Sequence, residues 1–196
     1  PFRRRRSAPT WKDHRLASDG DGQNVLEINV HRLRRLLGSH QSVLAANGRI
    51  SLDPAYCWVD VIAFEEAAWR AEQAPGLDPG HALQALMLYC GHFLEQDDAY
   101  PWILHQRERL RSRFISLAER LGRKLEAASD LEAALDIYRI AIARDSLNET
   151  FNCGLIRALH RPGRRAEAIE AYRRFERATD AVLGSPFRLL AEAEPW

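Results

Sequence analysis

Ala134-Leu135-Asp136-Ile137-Tyr138-Arg139 returns 34 residues later as Ala168-Ile169-Glu170-Ala171-Tyr172-Arg173, and that return decides the fold. A fixed period of this size marks an array of small helical units, none of which can bury its apolar face alone. Apolar residues in each copy fall three and four apart, so both copies lie on helices. Small Ala134 and Ala168 let a second helix approach closely, and Tyr138 and Tyr172 fill the gap toward the neighbouring hairpin.

The period extends outward. Leu121, Gly122, Leu125, Ala134, Tyr138 and Ala141 occupy positions 7, 8, 11, 20, 24 and 27 of a repeat, and Leu155, Leu159, Ala168 and Tyr172 repeat four of these. This is the spacing of the tetratricopeptide helix-turn-helix unit. Residues 61–73, 79–95, 101–126, 130–144, 147–160 and 164–178 all carry a helical apolar period, separated by Pro75-Gly76, Asp78-Pro79-Gly80, Ser129-Asp130, Asp145-Ser146 and Arg161-Pro162-Gly163. Brief connections between six helices predict antiparallel neighbours. Residues 61–95 lack the period and are expected to form an irregular first hairpin.

Upstream, Leu26, Val30, Leu33 and Leu37 make one apolar stripe of a helix. Asp19-Gly20-Asp21-Gly22 reads as its entry and Gly38 as its stop. Its other face carries Asn24, Asn29, His31, Arg32 and Arg35. Val43 to Leu52, centred on Asn47-Gly48, predicts a short hairpin, and Tyr56 to Asp60 a second extended piece. Residues 1–18 show no apolar period and are expected to form a disordered basic leader.

Composition narrows the function classes. Hydrophobic residues at 46% and charged residues at 28% suit a folded soluble chain of 196 residues. Apolar stretches are broken by charge, which excludes a spanning helix and implies no membrane partner. Arg3 to Arg6 is followed by Ser, Ala, Pro and Thr rather than an apolar secretory core. Cys57, Cys90 and Cys153 are too far apart for a zinc knuckle or redox dithiol, so reduced thiols and a cytoplasmic location are expected. Net charge is +1, but residues 1–48 hold nine Arg or Lys against four Asp or Glu, and the remainder nineteen against twenty-three. A basic head on an acidic body fits a nucleic-acid-reading end joined to a protein-facing end.

Catalytic and cofactor chemistry finds no support. Seven histidines form no His-Glu-x-x-His pair, and Cys90-Gly91-His92 lacks a second ligand pair. Asp19 to Asn24 starts like a calcium loop but has Asn24 where glycine belongs and Val30 where a bidentate glutamate belongs. No phosphate loop or nucleophile elbow is present, and Asp97-Asp98 reads as a solvated helix end. Trp58, Trp69 and Trp102 are read as core fillers rather than groove liners. No enzyme activity, metal or cofactor is expected.

The stretch from Trp58 onward resembles the bacterial transcriptional activator domain of the SARP family of antibiotic regulatory proteins. The matching residues are Val59-Asp60 with Phe64-Glu65, Leu88 to Leu94, Glu108-Arg109-Leu110, the Ala134 repeat, Asp145 to Glu149, Ala158-Leu159-His160, Gly163 to Ala168 and Tyr172. Upstream, Leu26 to Gly38 resembles the recognition helix of the OmpR-like winged helix that precedes this domain in the family, and Val43 to Leu52 its wing. The resemblance implies that Asn29 and Arg32 face bases or phosphates of double-stranded DNA, with His31, Arg35 and wing Arg49 nearer the backbone. A whole winged helix also has a sheet and two helices before the recognition helix, and residues 3–16 match none of that half, so a partial winged helix is expected.

The expected fold is therefore all-α: a tetratricopeptide-like helical-hairpin array over 58–196, preceded by a partial winged-helix DNA-binding region over 19–57 and a leader over 1–18. Leu121, Gly122, Ala134, Tyr138, Leu155, Ala168 and Tyr172 are the expected packing residues. The expected function is a transcriptional regulator whose array contacts RNA polymerase or a second copy of itself; the alternative is a protein-interaction adaptor without DNA binding of its own.

Overall fold

The computed structural model describes residues 20–46, 49–97, 100–161 and 163–183. The leader read over 1–18 and the hairpin turn Asn47-Gly48 lie outside the described residues. The chain separates into two compact units, Pro1–Val59 and Asp60–Trp196.

The first unit holds helix α1 (Gly20–Leu36) and an antiparallel hairpin of β1 (Val43–Ala46) and β2 (Arg49–Leu52). Helix α1 starts at Gly20, so the stretch read as its entry lies largely inside it. Gly38, at φ 74°, ends it in the left-handed conformation glycine tolerates best. Residues 57–59 form no strand.

The second unit is all helix: α2 (Asp60–Gln73), α3 (Pro79–Leu88), α4 (Pro101–Ala127), α5 (Leu131–Arg144), α6 (Glu149–His160) and α7 (Arg165–Leu183). Consecutive helices pack as hairpins, and α4 also meets α6 while α3 meets α5, as in a stack of hairpins. Local chemistry sets the boundaries. Asp78, Asp130 and Asn148 accept the backbone N–H groups of His81, Ala133 and Phe151 as N-caps. At the α6 end, Gly163 N–H donates to His160 O and Arg164 N–H to Leu159 O, a Schellman closure with Gly163 at φ 78°.

Helix α3 stops at Leu88, although the apolar period runs on to 95. Tyr89 leaves helical geometry at ψ 93°, and its ring stacks on Phe114 with centroids 4.3 Å apart. Phe64 lies 5.7 Å from Tyr89, and Phe151 meets Phe114 edge-on at 5.8 Å. An aromatic spine thus joins α2, α4 and α6, and continued helix would pull Tyr89 from it. Arg107 then ties down the following loop, donating from Nε to Phe93 O at 2.8 Å and from Nη2 to Leu94 O and Asp97 O.

Ala134, Tyr138, Leu155, Leu159 and Ala168 are buried together, with Tyr172 partly buried against them. Leu121 and Gly122 are buried on α4. Tyr138 runs between two glycines: a Cβ added at Gly122 would come within 2.5 Å of its Cζ, and one at Gly154 within 2.5 Å of its Cε1. Both helices therefore approach the ring to distances no side chain allows. Trp58 does not fill a core; it is 74% exposed.

In an exposed helix, replacing glycine by alanine stabilises by up to about 1 kcal/mol. Here Gly122→Ala and Gly154→Ala are each expected to destabilise by about 1–3 kcal/mol through overpacking, read as a lower urea midpoint of the full chain. A raised midpoint would refute the close approach.

Candidate nucleic-acid interface

Two surfaces carry chemistry, one in each unit. In the first, Asn29, His31, Arg32 and Arg35 stand exposed on α1, and Arg49 opens β2 opposite Ala46, also exposed. His31, Arg32, Arg35 and Arg49 line one open cleft between α1 and the hairpin, together with Arg34 and apolar Val30, Ala45 and Ile50. Asn29 is not among its lining residues. Four guanidinium groups face a single carboxylate there, Glu27, a balance that attracts anions. Arg34 and Arg35 also sit in the last turn of α1, where positive charge complements the helix dipole.

The apolar stripe of α1 is covered less than its period suggests. Val30 is buried, but Leu26, Leu33 and Leu37 remain 37%, 39% and 42% exposed. Strands of four residues are too short to cover a helix of 17. Arg34 shares this stripe, one turn after Val30, and donates from Nε and Nη2 to Val43 O at 3.2 and 2.7 Å. Sequence reading passed over Arg34; an arginine interrupting an apolar stripe was the available signal.

In the second unit, Arg123, Arg157 and Arg161 line a groove along α4 and α6 with Glu126 at its base. Glu126 is only 7% exposed. It accepts Tyr138 Oη at 2.7 Å and two bonds from Arg157, Nε to Oε2 at 3.1 Å and Nη2 to Oε1 at 2.9 Å, with Arg161 Nη1 at 3.8 Å. Burial alone would raise its carboxyl, yet the hydrogen bonds from Arg157 and Tyr138 outweigh burial and hold it below its ordinary value. Burial and the hydrogen bond to Glu126 push the Tyr138 hydroxyl up in turn. Glu119 and Glu149 line the adjoining part of the groove, so its charges balance. A separate cleft of about 380 Å³ at the α3 end is lined by Phe64, Tyr89, Cys90, His92 and Phe93. Burial raises the Tyr89 hydroxyl there to about 12, and His92 Nδ1 lies 3.3 Å from it.

Among the described residues no group of three or more His, Cys, Asp or Glu could hold a metal ion, and no helix is long and apolar enough to cross a membrane. Residues 59–188 match the family model of the bacterial transcriptional activator domain. No curated protein matches the chain.

A carboxyl held lower in the folded than in the unfolded state contributes stability that is fully present above the unfolded value, 4.5, and is lost as pH falls through the folded value. Glu126→Gln is therefore expected to lower stability by about 1–3 kcal/mol at pH 7. The gap from wild type should narrow below pH 4.5, as read by urea midpoints across a pH series. A gap constant down to pH 3, below the range of ordinary carboxylates, would exclude an ionised Glu126.

Proposed function

The chain belongs to the bacterial transcriptional activator domain family, and on that premise we propose that it regulates transcription by reading double-stranded DNA with α1 and the β1–β2 wing. The six-helix array supplies the protein contact, with RNA polymerase or with a second copy of the chain. One observation carries the DNA reading: His31, Arg32, Arg35 and Arg49, from a helix and a hairpin, line one cleft opposed by the lone carboxylate of Glu27.

The chemistry assigns separate roles. A major groove admits an α-helix, where asparagine reads adenine and arginine reads guanine by paired hydrogen bonds. Asn29 and Arg32 lie three residues apart and so point from the same side of α1, the arrangement for base contact. His31 and Arg35, four apart, share the other flank and suit the phosphate backbone, with Arg49 on the wing as a third backbone contact. Groups on this cleft stay in solvent until DNA arrives, so their attraction is sensitive to salt.

The array side rests on family membership and on construction. Stacked hairpins present extended surfaces suited to macromolecular partners. The Glu126 cluster places Arg123, Arg157 and Arg161 along one such surface.

Duplexes selected from a randomised pool by the full chain supply the probe. Arg32→Ala is expected to weaken binding to the selected duplex by about 1–3 kcal/mol and relax preference at one base position. Arg35→Ala should weaken all duplexes alike and reduce the log-log salt slope by about 0.9. Unchanged affinity of the Arg32→Ala chain in fluorescence anisotropy would defeat the base-reading role, and failure of the wild-type chain to select any duplex would leave the array as a protein-contact module.

A further inference from the structure

The hairpin register shows where the wing is held. Ser42 O accepts from Asp53 N–H at 2.9 Å, which makes Ser42 and Asp53 a hydrogen-bonded pair. Pairs alternate along an antiparallel ladder, so Leu44 with Ser51 and Ala46 with Arg49 are hydrogen-bonded pairs, while Val43 with Leu52 is not. The N–H and C=O of Val43 therefore point away from β2, along the outer edge of a two-stranded sheet. An edge carbonyl there needs a partner from outside the ladder.

Arg34 is that partner. Its Nε–H and Nη2–H converge on the one oxygen of Val43, which fixes the plane of the guanidinium as well as its distance. The side chain of Val43 is buried, and so is Val30, one turn before Arg34 on α1. The root of the wing is thus bound to α1 by the two bonds of Arg34 on the Val43 carbonyl. Its tip is three residues further along the ladder, about 10 Å away at the rise of a strand, and there Arg49 pairs with Ala46. A change of angle at the root displaces Arg49 at the tip.

We propose that Arg34 is a positioning residue that clamps the wing to α1 and sets the reach of Arg49 from Arg32 and Arg35; its consequence for DNA rests on the reading of this unit given above. Arg34 belongs to the recognition helix but serves its geometry rather than touching bases. Lysine cannot substitute, because a single ammonium offers no fork.

Two measurements on the full chain test this. Amide hydrogen exchange is compared among wild type, Arg34→Ala and Arg34→Lys. In both variants the amides of Leu44 and Ser51 are expected to exchange about tenfold faster or more, the size of one lost charged hydrogen bond, while α4–α7 amides keep their rates. If Arg34→Ala also frees the α1 amides, Arg34→Lys decides, since its stem still covers the helix and only the fork is gone. Wild-type protection of the hairpin in Arg34→Lys overturns the clamp.

The second measurement is a cycle of Arg34→Ala, Arg49→Ala and the double variant on the selected duplex. Arg34→Ala should weaken binding by a factor similar to Arg49→Ala, and the double variant should fall no further, with a salt slope reduced by about 0.9 once rather than twice. Additive losses overturn the positioning role and make Arg34 a DNA contact in its own right. A hairpin that loses protection in a chain that selects no duplex overturns the DNA reading and leaves the clamp standing, so the two failures are told apart.

Discussion

Tyr138 is the residue on which the helical unit depends. Its ring lies between Gly122 of α4 and Gly154 of α6, and its hydroxyl donates to Glu126, which two N–H groups of Arg157 also reach. One side chain from α5 therefore sets the distance between two helices and carries a polar anchor at its far end. The arrangement is costly to break at any point: a larger residue at either glycine strains the ring, and removal of the carboxylate leaves a buried hydroxyl without its acceptor. Arg157 then comes from the next hairpin, so the cluster fastens α4–α5 to α6–α7. The aromatic spine of Phe64, Tyr89, Phe114 and Phe151 extends the same coupling back to α2.

Among the described residues the first unit shows no comparable centre. Val30, Ser42 and Val43 are the buried ones among them. Local hydrogen bonds order its described residues. Ser42 donates from N and Oγ to Ser39 O, Asp53 Oδ1 caps Ala55 N–H, and Arg34 holds Val43.

The array was legible because a 34-residue period is long-range information held in small and aromatic residues: Ala134, Ala168, Tyr138 and Tyr172 announce close helix approach by size alone. The end of α3 was not, because the apolar period of 79–95 is shared by residues that continue a helix and by Tyr89, which leaves it to reach Phe114. Only the tertiary partner distinguishes them. Gly154 escaped for a related reason, since it stands outside the repeat positions and its role depends on where Tyr138 from another helix arrives. In the first unit the stripe was correctly located on a helix, but burial of Leu26, Leu33 and Leu37 does not follow from a stripe. It needs a surface large enough to meet it, and a short hairpin is not one. Trp58 failed in the same way.

Charge totals conceal how the arginines are used. In the array, Arg111 pairs with Asp145 at 2.9 Å, Arg113 with Glu72 at 2.7 Å, and Arg164 with both Glu132 and Glu167 at 2.8 and 2.7 Å. The hydrogen bonds from Arg164 hold the Glu167 carboxyl low and raise the guanidinium in return. Most of these pairs are partly exposed and individually weak, yet each consumes a cation that could otherwise attract phosphate. In the first unit Arg32, Arg35 and Arg49 stand exposed, with Glu27 the carboxylate in their cleft. A formal net charge of +1 thus describes neither unit. Arginines of the array such as Arg111, Arg113 and Arg164 are taken up by carboxylates and Arg34 of α1 by the Val43 carbonyl, whereas Arg32, Arg35 and Arg49 stand exposed.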